Sequence, residues 1–312
     1  MKILITGIHG FIGSNLAAGL GNQHEIYGLS RDSKPVVGVK RIYKWSEINS
    51  LPDVDAVIHL AALVHDLNGK FPEKEVMEVN VGLTERMLEW FGHSSARKFL
   101  FFSSVGVYGA SLANGVNDES LAVNPATFYA KSKLEAEKLL QAGFEKLPGD
   151  RSLIILRPGM IHGPGHRGNL LSLCKVAGRG IPWPLGAFDN RRSFATMDNV
   201  AFIVNELIER QVASGVYNLC DDEPMSTNRI VELIYEANGR RPRIWKVPKA
   251  LVRALAAIGS ALRLPLDTPR LRKLTGNYTV SNAKLKKALG LDHMPVKAED
   301  GMRESIKTLL QR

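Results

Sequence analysis

Apolar residues in this chain gather in short runs, separated by longer stretches in which they return every three or four positions. The runs at residues 3–5, 25–29, 56–60, 99–102 and 153–156 have strand length and little polar alternation, as strands covered on both faces require. The stretches at 12–21, 74–91 and 129–146 carry helical spacing. This alternation predicts βαβ units and an α/β fold, a Rossmann-like doubly wound parallel sheet.

After Pro164 the pattern changes to Gly/Pro-rich loops, then to helices with one short strand at 216–219. The expected organisation is a dinucleotide-binding Rossmann domain over 1–164, with 190–222 returning to it. Residues 165–189 and 223–312 would form a smaller, mostly helical C-terminal substrate lobe. The longest late apolar stretch, 254–262 between Arg253 and Arg263, is well short of the roughly 20 residues that span a bilayer, so no membrane span is expected. The basic, Ala/Leu-rich segment 246–263 reads as a helix packing the small lobe or as an interfacial helix.

With 312 residues, 45% hydrophobic and 23% charged, the chain has the composition of an ordinary globular protein with a sizeable core. The apolar start, Ile3-Leu4-Ile5 followed by Thr6-Gly7, reads as a first strand and not as a secretory signal. Cys174 and Cys220 lack metal-ligand spacing and are too few for a disulfide scaffold; buried thiols in a reducing cytoplasm, with no metal site, are expected. The net charge of +10 is spread along the chain without aromatic-interleaved basic runs. That excludes a nucleic-acid groove and leaves a small anionic substrate, or solubility alone, as its meaning.

Directly after the first strand stands Gly7-Ile8-His9-Gly10-Phe11-Ile12-Gly13. Glycines here allow a tight turn and close approach to a pyrophosphate, and the following helix N-terminus offers amides and a positive dipole. Gly7, Gly10, Phe11, Ile12 and Gly13 are therefore cofactor candidates. Where the second strand ends, an acid would read an NAD ribose, yet the chain has Ser30-Arg31. A 2′-phosphate would meet a hydroxyl and a guanidinium, so NADP(H) is preferred. Asp32, one residue on, keeps NAD(H) as the alternative.

Tyr129-Ala130-Lys131-Ser132-Lys133 places a phenol and an ammonium at i and i+4 of one helix. An adjacent ammonium favours phenolate, fitting Tyr129 as acid/base and Lys133 as its electrostatic partner. The strand at 99–102 runs into Ser103 and Ser104 at the crevice end of a parallel sheet, where Ser104 can orient the reacting oxygen. His59 reads as a packing residue; His65 and His162 are candidate substrate contacts.

At these residues the chain resembles the extended short-chain dehydrogenase/reductase family that acts on nucleotide sugars. The resemblance rests on the glycine motif, Asp55 to Ala62, Asn80-Val81, Ser104 with Val107-Tyr108-Gly109, Tyr129 to Lys133, Leu156-Arg157-Pro158, Arg192-Ser193-Phe194, Asp198-Asn199 and Val216 to Leu219. It implies that Leu60, Ala61 and Ala62 line the cofactor cleft, that Asn80 supports the active-site backbone, and that Ser103 and Pro158 lie near the cofactor. It further implies that Arg192 contacts a substrate diphosphate, a role chemically open to Arg191 as well. A homodimer is the family's common form.

Dehydratases of the family carry Asp-Glu after the residue matching Ser104, where this chain has Val105-Gly106. Two chemistries remain, reduction of a 4-keto nucleotide sugar by NADPH and NAD-dependent 4-epimerisation. Ser30-Arg31, and the resemblance of 190–200, Ser226-Thr227 and Lys246-Val247-Pro248 to bacterial UDP-4-keto-6-deoxy-N-acetylhexosamine reductases of surface-polysaccharide synthesis, favour reduction of a UDP-sugar. A non-catalytic NADP-binding protein on the same fold is the alternative from another class.

Overall fold

The computed structural model describes residues 1–64, 71–111, 117–166, 168–262 and 267–311. Its main sheet is built from β1 (Lys2–Thr6), β2 (Glu25–Ser30), β3 (Val39–Lys44), β4 (Ala56–His59), β5 (Lys98–Phe102), β6 (Ser152–Pro158) and β9 (Gly215–Leu219). These seven lie in the order β3-β2-β1-β4-β5-β6-β9, and every neighbouring pair is parallel. The chain winds outward from β1 to β3, then crosses back to β4. The reversal opens a crevice at the C-terminal ends of β1 and β4, where open parallel sheets bind ligands.

Strand alternation assigns each face its helices. Ile3, Ile5, Ile58, Leu100 and Ile154 pack with α1 (Phe11–Leu20) and α5 (Met197–Glu209). Leu4, Val57, Phe99, Phe101 and Ile155 pack on the other face with α2 (Glu73–His93) and α3 (Phe128–Phe144). Both faces are buried, so the strands read as continuous apolar runs. The exception is β3, absent from the sequence-based expectation because Lys40, Arg41 and Lys44 interrupt its apolar positions at the sheet edge.

A second pair of parallel strands, β7 (Met160–His162) and β8 (Phe194–Thr196), leads out of the sheet. Beyond it, α4 (Asn169–Gly178), α6 (Thr227–Ala237), α7 (Lys249–Ala261), α8 (Thr268–Thr275) and α10 (Ala298–Leu310) share a separate core around Trp183, Ile234, Tyr235 and Met302. Within 223–312, assigned from sequence to the small lobe, α9 (Ala283–Leu289) lies instead against β9, and Leu285, Leu289 and Met294 join the core of the large sheet. Helix α7 buries Val252 and Ala256 and exposes Leu251, Leu255 and Ile258, with Leu262 exposed just past its end; Arg263 lies outside the described residues. Among the described residues no helix is long and apolar enough to cross a membrane. Cys174 and Cys220 are free and buried, and burial pushes their thiols up to about 11 and about 12.

Candidate active site

The turn after β1 is as tight as backbone allows. Gly7 has φ +68°, and its N–H donates to the Leu29 carbonyl at 3.1 Å. A Cβ on Gly7 would stand 2.9 Å from the Ala61 nitrogen, and one on Gly13 would stand 2.5 Å from the Gly7 oxygen. Gly10 brings no side-chain cap to α1. The first-turn amides, those of Phe11, Ile12 and Gly13 among them, stay available to an anion. This cradle fits a dinucleotide pyrophosphate.

Across the crevice, Leu60 and Ala61 donate their N–H groups to Thr6 Oγ1 at 3.1 and 3.0 Å. Thr6 then gives its own proton to His59 Nδ1 (2.8 Å), His59 Nε2–H donates to Thr84 Oγ1 (3.0 Å), and Thr84 donates to the Asn80 carbonyl (2.7 Å). Only one tautomer satisfies this chain. Burial, reinforced by the Lys133 charge, holds the imidazole neutral by depressing it to about 3. His59 thus packs and braces, as the sequence suggests. Asn80 accepts from the Leu63 N–H (2.7 Å) and donates to the Leu63 carbonyl (3.1 Å) and to Ser132 Oγ (2.8 Å), tying the segment that carries Ala62 to helix α3.

At the end of β2, Ser30 Oγ lies 2.8 Å from His9 Nδ1, while His9 Nε2 lies 2.8 Å from the Lys34 carbonyl. Arg31 is exposed. The Asp32 carboxylate turns back on its own loop, accepting from the Lys34 N–H at 3.2 Å with His9 Nε2 at 3.4 Å.

Thr127 caps α3 by accepting from the Ala130 N–H at 3.2 Å, which sets Tyr129 in the first turn and Lys133 one turn on. Sequence reasoning expects the ammonium to favour phenolate. Lys133 instead donates to the Phe102 carbonyl at 2.7 Å and lies 4.7 Å from the centre of the Phe101 ring. Burial depresses Lys133 to about 7 against the opposing pull of Glu137, and burial raises Tyr129 to about 12. In the unliganded protein the phenol is therefore the neutral, proton-bearing form. Ser104 Oγ accepts from the Gly106 N–H at 3.0 Å, which leaves its own proton free for another acceptor.

Behind these residues lies a buried network that the motif search did not reveal. Ser103 donates to Glu137 Oε1, and Arg157 donates to Glu137 through Nε (3.0 Å) and Nη2 (2.6 Å). The Arg157 guanidinium sits 4.9 Å from the Tyr108 ring centre, Tyr108 donates to Asn218 Oδ1 (2.8 Å), and the Asn218 N–H donates to Glu119 (2.6 Å). The network fastens the ends of β5, β6 and β9 to α3. Pro158 closes β6 opposite Leu219. Glu137 stands two turns beyond Tyr129 on the same face, the one sequence signal that could have singled it out.

Arg191 and Arg192 part company in the structure. Arg192 is half-buried next to Tyr278, bonded through its backbone to Met225. Arg191 is exposed and lines an outer cavity with Asp189, Glu223 and Arg229. His162 is buried, its Nδ1 2.8 Å from Ser305 Oγ. Ser305 gives its proton to the Gly301 carbonyl, so His162 Nδ1–H donates to Ser305 and is not turned to a cleft. His65 lies outside the described residues.

A glycine cradle at the switch point of a parallel sheet, facing a tyrosine and a buried lysine, is the ground plan of a nicotinamide-dependent Rossmann enzyme. Residues 3–220 match the NAD dependent epimerase/dehydratase family, and the chain belongs to it. Among curated relatives it is 29% identical, over 92% of its length and 85% of the relative's, to the N-acetyl-alpha-D-glucosaminyl-diphospho-ditrans,octacis-undecaprenol 4-epimerase of Escherichia coli O157:H7. It is 27% identical to the GDP-6-deoxy-D-mannose reductase of Pseudomonas aeruginosa, over 81% of this chain and 85% of that one. The structure of UDP-N-acetylglucosamine 4-epimerase from Bacillus cereus shares the fold, with a TM-score of 0.78 at 20% identity over 100% of both chains.

Proposed function

We propose that this chain reduces the 4-keto group of a nucleotide sugar, a UDP-linked 4-keto-6-deoxy-N-acetylhexosamine, with NADPH. The observation that carries the reading is the end of β2. The acid that would bind a ribose diol, Asp32, is spent on the Lys34 backbone and His9, while Arg31 and Lys34 are exposed for a 2′-phosphate. NADPH held at the Gly7–Gly13 turn would supply the hydride for C4. Tyr129, kept protonated by burial, gives its proton to the carbonyl oxygen as the carbinol forms. Ser104 hydrogen-bonds the same oxygen through its free hydroxyl, and Lys133, anchored on Phe102, stabilises in its protonated form the phenolate that Tyr129 becomes. Arg192 clamps the diphosphate.

The test is NADPH consumption with a UDP-4-keto-6-deoxy-N-acetylhexosamine, read at the nicotinamide absorbance and by recovery of the 4-hydroxy sugar. Tyr129→Phe should lower kcat by about 100-fold or more while NADPH binding persists; unchanged turnover would refute the assigned acid. A second reading, 4-epimerisation with retained NAD, is favoured by the names of the Escherichia coli relative and the Bacillus cereus neighbour. Inversion at C4 of UDP-N-acetylglucosamine without added NADPH, together with NAD released on denaturation, would establish it in place of reduction.

A further inference from the structure

The hydrogen bonds of His9 fix more than its position. The Lys34 carbonyl can only accept, so His9 Nε2 at 2.8 Å must carry a proton. In the neutral imidazole Nδ1 is then bare, and Ser30, 2.8 Å away, must spend its single hydroxyl proton on it. Ser30 Oγ, at the C-terminal end of β2, is left with lone pairs only. That oxygen can accept from a ribose 2′-hydroxyl but has nothing to donate to a phosphate. Protonating His9 reverses the bond. Nδ1–H then donates to Ser30 Oγ, the serine proton turns outward, and a cation is added beside it. Among the described residues the charged group that meets His9 is Asp32, with Oδ1 3.4 Å from Nε2, and Arg31 and Lys34 stand exposed on the same segment after β2. A 2′-phosphate dianion among them would shift the balance toward the imidazolium.

We infer that His9 is a specificity-determining residue, setting whether Ser30 accepts from a 2′-hydroxyl or donates to a 2′-phosphate, so that NADP(H) binding takes up a proton that NAD(H) binding does not. His9 lies within the glycine turn but acts on the other end of the dinucleotide, and it is not invoked by the reaction itself. The inference rests on the dinucleotide reading of that turn, which supplies the ribose position.

The experiment is titration of wild-type protein and of His9→Gln with NADPH and NADH between pH 6.5 and 8.5, where the free 2′-phosphate, with a second pKa of about 6, is largely dianionic. Wild-type Kd for NADPH should rise with pH by up to about tenfold per unit, the slope of one linked proton, while Kd for NADH stays flat. His9→Gln should flatten the NADPH series and lower the NADPH-to-NADH preference at pH 6.5. Calorimetry in buffers of different ionisation enthalpy should show proton uptake with NADPH in the wild type alone. A pH-independent wild-type ratio, or an equal NADPH slope in His9→Gln, overturns the inference, as does binding of NADH but of NADPH at no pH. Failure to bind either dinucleotide overturns the cofactor reading beneath it. Failure to reduce a 4-keto sugar, with these titrations as expected, overturns only the proposed reaction.

Discussion

Glu137 and Arg157 meet in a two-pronged ion pair, Nε to Oε1 at 3.0 Å and Nη2 to Oε2 at 2.6 Å, with both side chains almost wholly enclosed. Neither residue reaches toward the crevice. Together they hold Ser103 and Tyr108 in place, and through them the strand ends that flank Ser104 and Pro158. Glu137→Gln leaves the guanidinium buried without its counter-charge and should cost about 3–5 kcal/mol in urea unfolding. Replacing both residues by methionine should cost less than Glu137→Gln alone, because no charge is then stranded. A loss under about 1 kcal/mol for the single change would mean that the pair does not carry the stability assigned to it.

Lys133 gives stability a distinctive pH dependence. Its folded value, about 7, lies below the ordinary lysine value, so between about 7 and 10.5 the unfolded chain binds more protons than the native one. The Lys133 contribution to stability should therefore grow as pH rises through this window, and the cost of the buried ammonium is fully present below it. Lys133→Met should raise the melting temperature at pH 6 and lose that advantage by pH 10, while abolishing turnover. Parallel melting curves of the two proteins at all pH values would contradict the burial argument.

The divergence of the two arginines separates their expected phenotypes. Arg192→Ala should raise KM for the nucleotide sugar by about tenfold or more, as loss of a hydrogen bond to a charged phosphate predicts. Arg191→Ala, on the outer cavity, should leave KM and kcat close to wild type. Steady-state kinetics on both variants decide the matter, and the opposite pattern would relocate the diphosphate.

Gly13→Ala tests the cradle directly. A methyl 2.5 Å from the Gly7 oxygen and 2.9 Å from Ile8 Cα must push α1 off the sheet. The overpacking should cost about 1–3 kcal/mol of stability and weaken dinucleotide binding with it. Unaltered binding in a fluorescence titration would argue that the pyrophosphate lies elsewhere.

Much of the architecture is legible in the chain because the physics is local. Residues 3–5, 56–58 and 99–102 are apolar without alternation, and a strand buried on both faces tolerates little else. The glycine turn is readable because close backbone approach admits no substitute at Gly7 or Gly13. The three-residue strands β7 and β8 are too short to show any period, and β3 hides its apolar positions among cations. Glu137 sits among Lys131, Lys133, Glu135 and Lys138, a charge pattern that reads as a solvated helix face until tertiary packing selects one side of it. Which of Arg191 and Arg192 turns inward is likewise decided by the partner segments, Met225 and Tyr278, from distant parts of the chain. The neutral state of Tyr129 is not legible either, since it depends on how the folded chain buries the phenol.

The cations that conceal β3 also decide how the molecule meets its own copies at high concentration. β3 is one margin of the sheet and offers unpaired backbone groups to any passing strand, whereas at the other margin α9 lies over β9 and Lys284 donates to the Val216 carbonyl at 2.8 Å. Lys40, Arg41 and Lys44 stand exposed along the open margin. An identical strand approaching it would bring positive charge against positive charge, and fibre-like growth from that edge is discouraged before any backbone bond can form. The feature that makes this strand hard to read is the one that guards the sheet edge against a second copy.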